Sequence, residues 1–102
     1  YLVQGSYTDQ GLKGLLKEGG SKRRAMVEQL ANEMGGKLEA FYYAFGSDDF
    51  VIILDLPSNM DMAATAIVAQ ASGMVKSRVT VLMTPEDVDQ AVQRKVDFRP
   101  PE

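Results

Sequence analysis

Residues 41–56 read FYYAFGSDDFVIILDL and carry the clearest secondary-structure signal in the chain. Two runs of aromatic and β-branched residues flank a short cluster of Gly, Ser and Asp, which is the pattern of a β-hairpin. Apolar residues occupy both alternating sets of positions in each run, so both faces of the hairpin are predicted to be buried. A chain this short has helices for one face, and we expect a second copy of the chain to cover the other.

The composition is that of one globular domain. The chain has 102 residues, of which 45% are hydrophobic and 25% are charged. We predict a single domain over residues 1–102, with residues 95–102 as an extended tail. The formal net charge of −3 gives no general attraction to polyphosphate, so we expect no nucleic-acid partner. No apolar run is long enough to cross a bilayer and residues 1–5 do not resemble a signal peptide, so we expect no membrane partner and a cytoplasmic location.

Cysteine and histidine are both absent. Their absence excludes disulfides, thiolate nucleophiles and zinc-thiolate sites, and it removes the commonest general base and metal ligand. We therefore expect no metal site and no resident cofactor. Catalysis by this chain would depend on carboxylates, tyrosines, lysines, arginines, hydroxyls or a borrowed cofactor, and the residue types alone leave open whether it is an enzyme.

The remaining elements follow from turn residues and hydrophobic spacing. We predict strands over 1–7, 37–45, 49–56 and 74–83, a short helical turn over 10–17, long helices over 21–34 and 58–72, and a short helix from 84 to 94. The order strand, helix, strand, strand, helix, strand predicts an α+β fold, a ferredoxin-like βαββαβ sandwich with a four-stranded antiparallel sheet and an extra C-terminal helix.

The chain resembles the GYD-domain family in four segments, which are Tyr1–Lys13, Gly35–Leu38, Gly46–Asp49 and Ala71–Gly73. The resemblance extends over almost the whole chain and implies a ferredoxin-like dimeric α/β barrel, in a family whose biochemical function is poorly defined. The Gly-Tyr-Asp signature of that family stands here as Gly46-Ser47-Asp48-Asp49, a Gly-x-x-Asp turn without the tyrosine. Of the signature residues, only Gly46 and Asp49 carry over.

Asp49 is the candidate catalytic residue. A carboxylate at the mouth of a barrel can act as a general base or bind a hard cation. The alternative is that Asp48 and Asp49 serve the turn, where aspartates bond their own backbone. We favour turn chemistry for Asp48 and keep both interpretations for Asp49.

The candidate ligand-binding residues are Tyr7, Tyr42, Tyr43 and Arg78, together with Asp49. Tyrosines offer an apolar wall with a polar tip, although packing in the core or at an interface is the favoured interpretation. A guanidinium inside a barrel can hold a carboxylate, although arginines more often extend to solvent. The cations Lys22-Arg23-Arg24 begin a predicted helix, where a phosphate group is attracted, but a solvated surface is the favoured interpretation.

The expected function is that of a homodimer that binds a small molecule between its two sheets. Two alternatives remain open. One is a small cofactor-independent enzyme, of oxygenase or isomerase type, that uses Asp49 and a tyrosine. The other is an oligomerisation module, which predicts an interior filled by side chains.

Overall fold

The computed structural model describes residues 1–101, and within that range the chain forms four strands and four helices. In chain order they are β1 (Leu2–Tyr7), α1 (Asp9–Glu18), α2 (Gly20–Glu33), β2 (Lys37–Tyr43), β3 (Phe50–Asp55), α3 (Asn59–Ala71), β4 (Val75–Thr80) and α4 (Pro85–Ala91). None of the helices within residues 1–101 has the length and apolar content needed to cross a bilayer.

The strands form one antiparallel sheet in the order β2-β3-β1-β4. Strand β1 lies inside the sheet, and its Val3 stands opposite Ile52 of β3 and Val79 of β4. This order places the first and third strands side by side at the centre, as in a ferredoxin-like fold. The predicted α+β class and the four-stranded antiparallel sheet are confirmed.

The predicted hairpin is present as β2 and β3, with Phe41 opposite Ile52 and Tyr43 opposite Phe50. Its connection is a loop over residues 44–49, closed by a hydrogen bond of 2.8 Å from the Ala44 N–H to the Asp49 carbonyl. Because six residues connect the strands, both strands are shorter than predicted at the turn end.

The hydrophobic core lies between one face of the sheet and helices α2 and α3. Strand residues of one parity face these helices, because side chains alternate across a strand. The buried core consists of Val3, Ala31, Phe50, Ile52, Leu54, Leu56 and Met62. Only one of the two apolar sets of the hairpin is thus covered by helices of the same chain.

The second apolar set lies on the opposite face, called here the open face. It comprises Ala40, Tyr42, Val51 and Ile53 of the hairpin and Leu2 of β1, as the strand register requires. The side chain of Tyr42 is 68% exposed.

Helix α1 is longer than the predicted helical turn. It begins at Asp9, because the Thr8 hydroxyl accepts a hydrogen bond of 3.2 Å from the Gly11 N–H and caps the first turn. It ends at Gly19, whose φ of 85° breaks the helix before α2 starts at Gly20. The sequence predicts a turn or helix start at Thr8-Asp9 and a break at Gly19-Gly20, and both positions agree with the structure.

Strand β4 and helix α4 are shorter than predicted. Strand β4 ends at Thr80 because Thr80 pairs with Leu2, the first residue of β1, and the sheet offers no partner beyond it. Helix α4 keeps its predicted start, a capping box between Thr84 and Asp87 with Pro85 in the first turn, but it ends at Ala91 rather than Arg94.

Residues 81–101, called here the C-terminal arm, extend away from the sheet. Every residue of the arm is exposed, including Val88, Val92, Val96 and Phe98. The radius of gyration of 16.8 Å exceeds the value of about 13 Å expected for a compact chain of this length. The described part of the predicted tail, 95–101, forms no helix or strand, and residue 102 lies outside the described range.

We predict that Gly5→Ala destabilises the fold by about 2 kcal/mol or more, because the new methyl group meets backbone that cannot move without breaking the sheet. A Cβ at Gly5 would lie 2.2 Å from the Lys76 carbonyl oxygen and 2.7 Å from the Ser77 Cα. Urea denaturation measures the free energy of unfolding.

The matched control is Gly46→Ala, since a Cβ at Gly46 meets nothing within 4 Å and its φ is not positive. We expect that variant to stay within about 0.5 kcal/mol of the unchanged protein. Equal stabilities for the two variants would contradict the close approach of β1 and β4.

Candidate functional site

A half-enclosed cavity of about 160 Å³ lies between the sheet and helices α2 and α3. The space exists because α3 presents alanines to the sheet, and their side chains are too short to fill the gap between the layers. The apolar wall includes Val3, Val27, Phe50, Ile52, Met62 and Ala66. The cavity lies on the helix face of the sheet, whereas a ligand site between two sheets would lie on the open face.

Arg23 is the one charged residue lining this cavity within the described chain. It occupies the same helical stripe of α2 as Val27, Leu30 and Met34, and its side chain is 16% exposed. Its Nε atom lies 3.7 Å from Oε2 of Glu18, at the end of α1. Both atoms are buried, and neither has a hydrogen-bond partner among residues 1–101.

The predicted cluster Lys22-Arg23-Arg24 therefore separates into two environments. Lys22 and Arg24 are exposed, as the solvated-surface interpretation predicts, while Arg23 is turned to the cavity side of α2. Sequence reasoning missed this residue. The signal was available, because Arg23 precedes Val27 by four positions and therefore shares its helix face.

Tyr7 is the predicted ligand-binding residue that does line the cavity. It shares the parity of Val3 and Gly5 in β1, and its ring packs 5.2 Å from that of Phe50, centre to centre. Burial raises the pKa of Tyr7 well above its usual range, and the nearby Tyr43 hydroxyl adds to the rise while Arg23 opposes it. Tyr7 is therefore a neutral phenol at physiological pH.

Tyr43 stands beside Tyr7 at the same end of the sheet, although it does not line the cavity itself. Its hydroxyl donates a hydrogen bond of 3.0 Å to the Gly20 carbonyl at the start of α2. Gly20 leaves room for the ring, since a Cβ there would lie 2.9 Å from Cε2 of Tyr43. The structure thus brings Tyr7, Tyr43 and Arg23 to one end of the cavity.

Asp49 holds the hairpin loop against β1 and does not line the cavity. Its Oδ2 accepts a hydrogen bond of 2.9 Å from the Tyr7 N–H, and its own N–H donates to the Gly5 carbonyl at 2.8 Å. Asp49 therefore extends the pairing of β1 one residue beyond Phe50, the first residue of β3. Its carboxylate is close to the backbone of Tyr7, not to a space that admits a substrate.

Tyr42 and Arg78 lie on the open face, away from the cavity. The Arg78 guanidinium donates two hydrogen bonds, of 2.9 and 2.8 Å, to the two carboxylate oxygens of Asp48. These hydrogen bonds lower the pKa of Asp48 and raise that of Arg78. Asp48, which we assigned to turn chemistry, instead connects the hairpin loop to β4 and provides the carboxylate that Arg78 binds.

The family model described as the GYD domain matches residues 1–92, which include all four strands and all of α4. No curated protein and no solved structure matches the chain significantly.

We predict that the Tyr7→Phe variant loses less stability than the unchanged protein as the pH rises into the alkaline range. The raised pKa means that Tyr7 stays protonated in the folded chain at pH values where it ionises in the unfolded chain. Its contribution to stability is fully present below the ordinary tyrosine pKa of about 10 and is lost as the pH rises above that value. Urea denaturation at several pH values above and below about 10 should show a steeper fall for the unchanged protein.

The control is Tyr1→Phe, because the Tyr1 hydroxyl lies at the surface, where it donates a hydrogen bond to Asn59. We expect this variant to follow the pH dependence of the unchanged protein. A Tyr7→Phe variant with that same dependence would show that Tyr7 is not the buried phenol described here.

Proposed function

This chain belongs to the GYD-domain family, and from that premise we propose that it binds a small apolar molecule in the cavity between its sheet and its helices, and that it does so as a homodimer. The observation that carries the proposal is the cavity itself. It combines a largely apolar wall, which also includes Thr65 and Ser77, with a polar end formed by Tyr7 and Arg23, and this is the usual composition of a small-molecule site.

The size of the cavity points to a ligand of about one ring. An engineered apolar cavity of about 150 Å³ in another protein admits benzene, and the cavity here is about 160 Å³. The apolar wall would provide most of the binding free energy by removing the ligand from water. The polar end would orient the ligand.

Binding is better supported than the enzyme that the sequence left open. That enzyme needs Asp49 and a tyrosine to exchange a proton with the substrate. Asp49 does not line the cavity and its carboxylate is bonded to the Tyr7 N–H. The raised pKa of Tyr7 disfavours the phenolate that a general base requires. A pure oligomerisation module is disfavoured too, since it predicts a filled interior.

The homodimer is supported by two apolar surfaces that the single chain leaves uncovered. The first is the open face, where Leu2, Ala40, Tyr42, Val51 and Ile53 share one parity of three adjacent strands. The second is the C-terminal arm. Packing two open faces together relates equivalent surfaces by a two-fold axis, which is the commonest arrangement of homodimers.

The cytoplasmic location, and the absence of nucleic-acid and membrane partners, stay predictions from the sequence.

We predict that toluene, used as an apolar probe, binds the unchanged protein and that Ala66→Leu prevents this binding. Ala66 lines the cavity, so a longer side chain occupies the space of the probe. Methyl NMR titration measures binding directly, and the rise in melting temperature with toluene concentration measures it independently.

The control is Ala63→Leu, on the exposed side of the same helix, which should bind toluene as the unchanged protein does. Native mass spectrometry of protein purified without denaturation tests for a retained small molecule. Failure of toluene to bind the unchanged protein at any accessible concentration would overturn the proposed cavity function.

We predict that the double variant Val51→Lys, Ile53→Lys converts the dimer to a monomer. Both residues lie in β3 on the open face, and two lysines in each copy would place like charges and desolvated ammonium groups in a sheet-to-sheet contact. Native mass spectrometry and light scattering measure the assembly.

Val68→Lys, at an exposed position of α3 in the helix layer, is the control and should leave the dimer intact. A monomeric unchanged protein would rule out the open face as a self-association surface.

A further inference from the structure

Arg23 is a cation without a hydrogen-bonded anion, held at the wall of an apolar cavity. Its Nε is buried and unbonded within the described residues, and the closest carboxylate oxygen, on Glu18, is 3.7 Å away. A separation of 3.7 Å is too long for a hydrogen bond. Arg23 and Glu18 therefore form an ion pair without a hydrogen bond, and an anion hydrogen-bonded to the guanidinium would offset more of its desolvation cost.

From this geometry we propose that the ligand of the cavity is a small apolar carboxylate whose anionic group binds Arg23. The inference rests on the proposed function, since it names the chemical class of the molecule that the cavity takes. The guanidinium suits a carboxylate because its planar fork of donors matches the two carboxylate oxygens.

Helix α1 leaves space for this guanidinium at Gly14. A Cβ at Gly14 would lie 2.3 Å from Nη2 of Arg23, so any larger residue would displace the head group. Glycine inside a helix is less favourable than alanine, and Gly14 lies in the interior of α1. The helix therefore has one of its less favourable residues beside the Arg23 head group.

The other groups at this end of the cavity also favour an anion. Helix α2 starts at Gly20 with no acidic residue and no side-chain cap in its first turn, so its positive end is not neutralised locally. The neutral Tyr7 phenol adds a hydrogen-bond donor. The negative groups nearby are Glu18, which is partly exposed, and Asp49, which is bonded to the Tyr7 N–H. Glu18 is thus the competitor that an incoming carboxylate would replace.

The test compares phenylacetate with phenylacetamide, which has a similar shape and no charge. We expect the unchanged protein to bind phenylacetate about tenfold or more tightly, as hydrogen bonds to a charged group imply. Arg23→Gln should remove this preference. Arg24→Gln makes the same change of charge at an exposed neighbour, so the preference should persist. Isothermal titration calorimetry at neutral pH measures the affinity of each of the three proteins for both probes.

Two further variants separate recognition from folding. Glu18→Gln removes the competing carboxylate, so it should strengthen phenylacetate binding several-fold and leave phenylacetamide binding unchanged; a gain in affinity cannot come from a damaged fold. Gly14→Ala should weaken phenylacetate selectively, because it displaces the guanidinium, while far-ultraviolet circular dichroism shows α1 retained.

The results distinguish this inference from the proposed function on which it rests. If toluene binds but phenylacetate binds no better than phenylacetamide, the cavity takes apolar molecules without an anionic group and the inference is wrong. If phenylacetate is preferred and Arg23→Gln keeps that preference, another group recognises the anion and the inference is again wrong. If neither toluene nor the two phenyl probes bind, the proposed function itself fails.

Discussion

The pairing of the central strand β1 on both of its sides is the constraint on which the rest of the structure depends. β1 is hydrogen-bonded to β3 and β4 at once, so its register decides which residues of three strands share a face. Val3, Ile52 and Val79 lie in one row and meet the helices. Asp49 continues this pairing just before β3 begins. Its N–H donates to the Gly5 carbonyl, and its carboxylate accepts from the Tyr7 N–H. A slip of one residue would turn the apolar row to the other side.

The same register creates the candidate site. Because Val3, Gly5 and Tyr7 share a parity, Tyr7 reaches the helix face at the end where α2 begins. Arg23 enters that end from the first turn of α2. Neither residue is near the other in sequence, and the cavity between them opens because α3 packs with alanines. The positions of Tyr7 and Arg23 at the cavity therefore depend on both the strand order and the spacing between the sheet and the helices.

Sequence reasoning predicted the order of the elements well, because each element carries a local signal. The hairpin residues alternate with the period of a strand, and Ser58 and Thr84 begin helices with the caps that their hydroxyls form. The error at the end of β4 arises because that boundary depends on a distant partner: β4 stops at Thr80 because β1 starts at Leu2. The structure divides the candidate site residues between the two faces of the sheet. Tyr7 lies in the cavity wall, while Tyr42 and Arg78 lie on the open face and Arg23 was assigned to a solvated cluster.

Local chemistry in the chain was enough to specify strands, helices, their order and the excess of apolar residues on both faces of the hairpin, since these follow from spacing over a few residues. The choice of face for each set of side chains could not be derived in that way. It depends on the pairing between β1, β3 and β4, and therefore on hydrogen bonds between strands whose paired residues lie 45 to 78 positions apart, from Gly5 and Phe50 to Leu2 and Thr80. That pairing places Tyr7 in the cavity wall and Tyr42 on the open face, although both are tyrosines in strands, because a side chain's surroundings are set by the neighbouring strands and helices.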